Sequence, residues 1–337
     1  MKKVVTLGEI LLRLSAQEGV RLNQAGRLHV HYGGAEANVA VSLARYGYEA
    51  FVVSKIPDNP LGMAAERQLK SHGVRTDYVL KGGERLGTYY LEPGAGVRSA
   101  QVTYDRKYSS FSEMEVDEVV VEDILRGAAL FHVSGITLAL SASLREIVLL
   151  FMKKAKEIGI KTSFDFNYRA KLWTQREASD AIKPLLPYMD ICFFGELDAV
   201  HLLGLKKREK TVPQEDRLKE YYKEVLSQYP TIQAIGSTFR TVLNATSNKL
   251  QGNLFTGGEL YQSKVHQLEP IIDRVGGGDA FASGMLWGLL EGLPPGQIVS
   301  FAAAASALKH TVHGDCHTFT KEEIIQFAAM EPGTILR

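Results

Sequence analysis

The 337-residue chain predicts an α/β fold with a mainly parallel central sheet, and three features carry that reading. Short β-rich runs alternate with longer helical patterns over most of the length. Several of the runs are continuously apolar, as in strands covered on both faces. The longer stretches place apolar residues at helical spacing.

In chain order, strand 3–7 is an apolar run, and helix 35–46 follows a glycine pair. Strand 51–56 leads to helix 61–72, and strand 129–133 to helix 142–158, where Phe151 and Met152 within 147–152 are spaced as core. Strands 161–166, 189–194 and 231–235 follow, with helix 216–228 between the last two and helix 279–290 near the end. The polar stretch 205–217 reads as a solvated loop whose basic run, 206–210, lacks the interleaved aromatic residues of a nucleic-acid patch. Segments 11–32 and 87–111 break the rhythm with short alternating runs and turn residues. They predict strands outside the main sheet, forming either a small lid or surface hairpins without a gating role.

Composition narrows the function. Hydrophobic residues make up 45% and charged residues 23%, ordinary for a globular protein. Lys plus Arg is 39 against 38 for Asp plus Glu, so no global field draws in nucleic acid or an anionic membrane surface. No stretch reaches the roughly 20 apolar residues of a membrane span. The basic start at Met1-Lys2-Lys3 is followed by an apolar run that Glu9 and Arg13 interrupt, unlike a signal peptide. Cys192 and Cys316 are the only cysteines, which excludes a disulfide framework. A cytoplasmic enzyme or binding protein is expected.

The most informative segment runs Ile272-Asp273-Arg274-Val275-Gly276-Gly277-Gly278-Asp279-Ala280-Phe281-Ala282-Ser283-Gly284. Three glycines precede an apolar-periodic run, so a loop without side chains opens a helix. Backbone N–H groups there carry partial positive charge, and a phosphate approaches them closely when no Cβ intervenes. Gly276, Gly277 and Gly278 are therefore an anion-hole candidate. Asp279 is either an N-cap or a general base that takes a proton from an attacking hydroxyl beside the phosphate cradle. The Lys-Ser/Thr ending of a Walker A loop is absent, and a Rossmann fingerprint belongs after the first strand. A second glycine pair, in Tyr32-Gly33-Gly34-Ala35-Glu36-Ala37-Asn38-Val39-Ala40, is either a tight turn or a close approach to ligand, with Asn38 one turn into the helix.

Together these two segments resemble the signature regions of the ribokinase-like (PfkB) carbohydrate kinase family. The late family motif commonly reads Asp-x-Thr-Gly-Ala-Gly-Asp-x-Phe. Here Val275 stands for the Thr and Gly277 for the Ala, which leaves the anion hole and Asp279 in place. The resemblance spans the chain and implies one kinase domain over 1–337, a three-layer sandwich with a small β lid, and use of ATP and Mg²⁺. Arg274-Val275-Gly276-Gly277-Gly278-Asp279-Ala280-Phe281, Thr103-Tyr104-Asp105-Arg106 and Phe164-Asp165-Phe166-Asn167-Tyr168-Arg169 are similar to the 2-keto-3-deoxygluconate kinase group. That group implies transfer of the ATP γ-phosphoryl to the terminal hydroxyl of a sugar acid.

By the same resemblance Gly34, Asn38, Tyr89, Tyr104, Arg106 and Asp315 line the sugar site, and Asn167 and Arg169 reach toward phosphates and substrate. Arg offers the planar fork that a substrate carboxylate needs, and Arg106 is the first choice for it. Tyr89 and Tyr104 as hairpin packing, and Arg106 as a solvated charge, are the alternatives. Nucleotide contacts fall to Ser237 and Arg240 in an expected loop at 236–241. In Phe194-Gly195-Glu196-Leu197-Asp198 the family commonly has Asn-x-x-Glu; Gly195 replaces the Asn and Asp198 the final Glu, leaving Glu196 to act on Mg²⁺ through water. The implied partners are a small sugar acid and ATP, with no nucleic acid and no membrane, and a homo-oligomer through exposed lid strands. A kinase of a neutral sugar such as fructose or ribose, and a catalytically silent sugar-binding protein, are the competing readings.

Other constellations carry less. His310, His313, Cys316 and His317 are close in sequence but fit no tetrahedral zinc spacing, and His29 and His31 read as lid packing. Ser134-Gly135 is an incomplete nucleophile elbow.

Overall fold

The computed structural model describes residues 1–330; the last residues of the predicted domain, 331–337, lie outside the described residues. The strands are β1 (Lys3–Leu7), β2 (Leu11–Ser15), β3 (His29–Gly33), β4 (Glu49–Ile56), β5 (Val79–Lys81), β6 (Thr88–Glu92) and β7 (Gln101–Asp105). They continue as β8 (Ala128–Ser134), β9 (Lys161–Asp165), β10 (Ile191–Phe193), β11 (Ala234–Asn244), β12 (Ser247–Thr256), β13 (Glu259–Gln262) and β14 (His266–Leu268). The helices are α1 (Ala35–Arg45), α2 (Pro60–Ser71), α3 (Val121–Leu125), α4 (Gly135–Leu140), α5 (Ala142–Glu157) and α6 (Gln175–Ile182). The remaining helices are α7 (Glu196–His201), α8 (Gln214–Gln228), α9 (Gly277–Leu290), α10 (Pro295–Lys309) and α11 (Lys321–Ala329).

The main sheet runs β13-β12-β11-β10-β9-β8-β1-β4-β5, with β14 also on β12. Neighbours from β11 to β5 are parallel, and the β12 pairings are antiparallel. The continuous apolar runs follow from burial on both faces. Val5, Leu7, Phe131 and Val133 enter one core with Phe151 and Met152 of α5. Their neighbours Val4, Leu130 and Val52 enter the other, with Ala40 and Leu43 of α1, Leu286 of α9 and Phe301 of α10. Alternate residues of one strand thus serve opposite layers. Phe151 and Met152 are buried as their spacing predicts, together with Ile147 and Val148, while Leu150 faces outward.

Segments 11–32 and 87–111 supply the four strands of a second sheet, ordered β3-β2-β6-β7. Its ties to the main body include the Arg13 pairs with Asp273 and Asp315, the Tyr89 bond to Asp315, and three more. Lys171 Nζ donates to the Val102 carbonyl at 2.5 Å, the Ala245 N–H donates to the Gly96 carbonyl at 2.8 Å, and Arg106 pairs with Glu9. The expected loop at 236–241 is instead the middle of β11, paired antiparallel with β12 through Arg240↔Leu250. Polar residues on a one-sided antiparallel strand lack the apolar run that marks a central strand. Among the described residues no helix is long and apolar enough to cross a membrane.

Candidate active site

A cavity of about 880 Å³ opens where the carboxyl ends of the parallel strands meet the second sheet. In an open α/β sheet that edge is where ligands bind. It is lined by Gly34 and Asn38 at the start of α1, by Tyr89, Tyr104 and Arg106 from the second sheet, and by Asp165, Asn167 and Arg169 after β9. Glu196 and Asp198, Ser237 and Arg240, Gly276, Gly278 and Asp279, and Asp315 complete that set. Every predicted site residue except Gly277 therefore faces one space. Gly277 is buried, with no room for a Cβ against the His310 ring.

Two glycines are required by backbone geometry. Gly34 has φ 147°, and a Cβ there would strike the Glu9 carbonyl. Gly276, the N-cap of α9, has φ 80° and lies on the Asp315 carbonyl. Both conformations are costly for residues with a Cβ. Gly278 differs: nothing stands within 4 Å of a Cβ placed there, so the helix end is open to the cavity. The Gly277 N–H points to the Arg274 carbonyl at 3.4 Å, and the Ala280 N–H donates to Gly276 at 2.9 Å. The N–H groups of Gly278 and Asp279 have no backbone acceptor among the described residues, so they are the donors left for an anion.

Asp279 is not the N-cap, because Gly276 holds that position. Its carboxylate instead accepts from Asn38 Nδ2 at 2.7 Å, while Asn38 Oδ1 is buried without a partner. Withdrawal from bulk water pushes Asp279 up to about 7, against the stabilising Asn38 hydrogen bond and the Arg169 charge. Asp165, in the same cavity, is pushed up to about 8 by burial and then by the Asp279 charge. Asp198 is raised by burial, with one oxygen accepting from the Gly195 N–H at 3.0 Å. Asp165 has no role assigned from the sequence alone. Its only signal is a carboxylate at the carboxyl end of a buried parallel strand.

Opposite these carboxylates stand Arg169, Arg240 and Arg274, which enter no salt bridge among the described residues. Arg240 is held below the usual arginine range by burial and by the charges of Arg274 and Arg169. Three converging guanidiniums without carboxylate partners favour an anionic ligand. Arg274 lay inside the late motif without an assigned role. Asn167 adopts φ 39°, and its N–H donates to Asp165 Oδ1 at 3.0 Å, turning the chain so that Arg169 reaches the cavity. Ser237 Oγ accepts from Asn253 Nδ2 at 3.4 Å, on the strand that replaces the expected loop.

Three of the expected site residues already have side-chain partners. Glu196 lies at the cavity wall, but its oxygens accept from Arg217 Nε and Nη2 at 3.0 and 3.1 Å, so its charge is already matched. Asp315 lines the cavity with both oxygens already engaged, Oδ2 accepting from Tyr89 at 2.5 Å and Oδ1 from Arg13 Nη1 at 3.0 Å, so a sugar hydroxyl would share them. Arg106 is no solvated charge. It is buried, its Nε donates to Glu9 at 2.8 Å and its Nη2 to the same oxygen, and its guanidinium lies 5.7 Å from the Tyr104 ring centre. Only its Nη1 edge is left unengaged. The remaining candidates serve the fold, since Ser134 caps α4, His310 Nδ1 bonds the Ser306 carbonyl and His317 Nε2 bonds Tyr46.

The family model of the pfkB family carbohydrate kinases matches residues 1–322. The chain belongs to this family. As a pfkB kinase it is a phosphotransferase acting on an alcohol group. It is 36% identical over 322 residues to the 2-dehydro-3-deoxygalactonokinase of Haloferax volcanii, covering 96% of this chain and 95% of that one. The solved 2-dehydro-3-deoxygluconokinase of Thermotoga maritima is 41% identical with a TM-score of 0.94, covering 98% of this kinase and 100% of that chain. A putative ribokinase II from E. coli, solved with ATP and Mg²⁺, shares the fold at 21% identity and a TM-score of 0.81, covering 97% and 99% of the two chains.

Proposed function

We propose that this pfkB kinase transfers the γ-phosphoryl of ATP to the terminal hydroxyl of a 2-keto-3-deoxy sugar acid, with 2-keto-3-deoxygluconate as the first substrate. The observation that carries the reading is the pairing of Asp279 with the open N–H groups of Gly278 and Asp279, in a cavity holding three unpaired guanidiniums. The names of the two most similar relatives above support the substrate class, and they leave the gluconate and galactonate epimers as the choice to be tested.

Asp279, raised to about 7, is poised to accept the proton of the sugar hydroxyl near neutral pH. Asn38 fixes the carboxylate's direction. The N–H groups of Gly278 and Asp279 face the charge that builds on the transferring phosphoryl. Arg169 and Arg240 hold the nucleotide phosphates, and Nη1 of Arg106 meets the substrate carboxylate. The fold also implies Mg²⁺, and the uncompensated carboxylates of Asp165 and Asp198 fit a hard cation better than the Arg217-bound Glu196. When bound, Mg²⁺ would neutralise phosphate charge there. The rest is positioning by this chain's own side chains.

The test is ADP release with Mg-ATP against 2-keto-3-deoxygluconate, its galactonate epimer, gluconate, fructose and ribose. Turnover confined to the two keto-deoxy acids is expected. Preference for fructose or ribose overturns the sugar-acid assignment, and binding of sugar without turnover on any of them overturns the kinase assignment.

A further inference from the structure

Lys309 is the one lysine among the described residues that is buried, with no measurable exposure. Placing an ammonium there is costly, and an apolar side chain would fill the same volume more cheaply. No carboxylate oxygen lies within salt-bridge distance; Nζ instead donates to two main-chain carbonyls, of Val312 at 3.2 Å and of Asp273 at 3.4 Å. It ends α10, where the helix carbonyls favour a cation.

What those carbonyls belong to gives the arrangement a meaning. Asp273 opens the segment that becomes the glycine loop, and Val312 begins the turn to Asp315. The N–H groups of Ile272 and Asp273 are docked on the His310 carbonyl at 2.8 and 3.4 Å. A Cβ on Gly276 would meet Lys309 Cε at 3.4 Å, so the stem of the lysine lies directly beneath the loop. Arg13 joins the side chains of the same two aspartates, Asp273 and Asp315. Two buried cations thus hold two segments together, Arg13 through side chains and Lys309 through main-chain oxygens. Lys309 does not line the cavity, and the transfer reaction has no use for it as an acid or base.

We propose that Lys309 is a positioning residue whose ammonium draws the carbonyls of Asp273 and Val312 together and thereby aims the N–H groups of Gly278 and Asp279 at the transferring phosphoryl. The inference rests on the anion-hole reading of that loop. Two carbonyl dipoles converging without a cation repel each other, and the loop between them opens. A displacement of about 1 Å at such donors costs on the order of 10²-fold in rate.

Two variants test it. Lys309→Met keeps the volume and removes the charge; Lys309→Ala leaves space for a soluble amine. With the sugar that the wild type turns over, Lys309→Met is expected to lose about 10²-fold in kcat with the sugar KM nearly unchanged and the far-UV circular dichroism intact. Lys309→Ala should regain activity saturably with ethyl- or propylammonium but not with tetramethylammonium, which has no N–H to donate, while the wild type ignores all three. A Lys309→Met enzyme with near-normal kcat overturns the proposal, as does a folded Lys309→Ala enzyme that no amine improves. Should Lys309→Ala not fold, Lys309→Met decides. Gly278→Val separates the two layers of the argument: harmless, it removes the anion hole and this inference with it; damaging beside a harmless Lys309→Met, it removes Lys309 alone.

Discussion

Asn38 Nδ2 donates to Asp279 Oδ2 across 2.7 Å, joining the first turn of α1 to the first turn of α9. The two glycine motifs lie 241 residues apart in that pair and meet in a single hydrogen bond. The bond orients the carboxylate and favours its charged form, while withdrawal from water disfavours it.

Asp279→Asn removes the proton acceptor and keeps the shape. The expected loss is about 10³-fold or more in kcat, with sugar KM changed little. Near-normal turnover would move the base elsewhere, with Asp165 the next carboxylate in the cavity. The same substitution bears on stability. The folded-state value of Asp279, about 7, lies above that of an unfolded chain, so the unfolded chain releases its proton first. Its contribution is present in full below the unfolded value near 4 and is lost as the pH rises through about 7. Thermal unfolding of the ligand-free protein should therefore show Asp279→Asn gaining more over wild type at pH 8 than at pH 5; an equal gain at both values contradicts the raised carboxyl.

Rate against pH follows from the same bond. A base must be deprotonated, so kcat/KM should rise through about pH 7 and level above it. Asn38→Ala takes away a donor to the charged form and should move that limb to higher pH, with most of the activity recovered on the alkaline side. A limb that stays in place would show that Asn38 does not act on Asp279.

The divalent cation separates Asp165 from Glu196. Asp165→Asn should raise the Mg²⁺ concentration for half-maximal rate by about tenfold or more, and should weaken Mn²⁺ binding measured by paramagnetic relaxation in the presence of the nucleotide. Glu196→Gln should leave both nearly unchanged, because Arg217 already matches its charge. The reverse pattern restores Glu196 to the role the sequence suggested.

How much was legible follows from how local each signal is. β1 and β8 are visible because burial on both faces forces an apolar run. α10 went unread: Phe301-Ala302-Ala303-Ala304-Ala305 sits in a helix buried nearly all round, which has no polar stripe to give it away. Gly284 and Gly288 of α9, which weaken a helix in isolation, are where Ala302 and Ile298 of α10 come close. The glycine loop and Asp279 were readable because their chemistry is contiguous. The Arg13 bridge was not, since its aspartates lie 260 and 302 residues away. The pairing of Glu196 was hidden for the same reason: its partner, Arg217, belongs to another helix.

Substrate choice turns on Arg106 and Glu9. Glu9 holds one edge of the guanidinium and cancels much of its charge, so a substrate carboxylate meets Nη1 of a half-neutralised group. If Arg106 still reads the acid, Arg106→Ala should raise KM for 2-keto-3-deoxygluconate by about tenfold or more, and Arg106→Lys should not restore it, because an ammonium lacks the planar fork held between Glu9 and Tyr104. Glu9 then carries opposing effects. Glu9→Ala frees the guanidinium to leave its place and should raise KM in the same direction. Glu9→Gln keeps an acceptor and removes the competing charge, so it should hold or lower KM for the acid. Equal losses on the acid and on fructose for Arg106→Ala would assign the Glu9–Arg106 pair to holding the second sheet in place, and the carboxylate contact would pass to Arg169, Arg240 or Arg274.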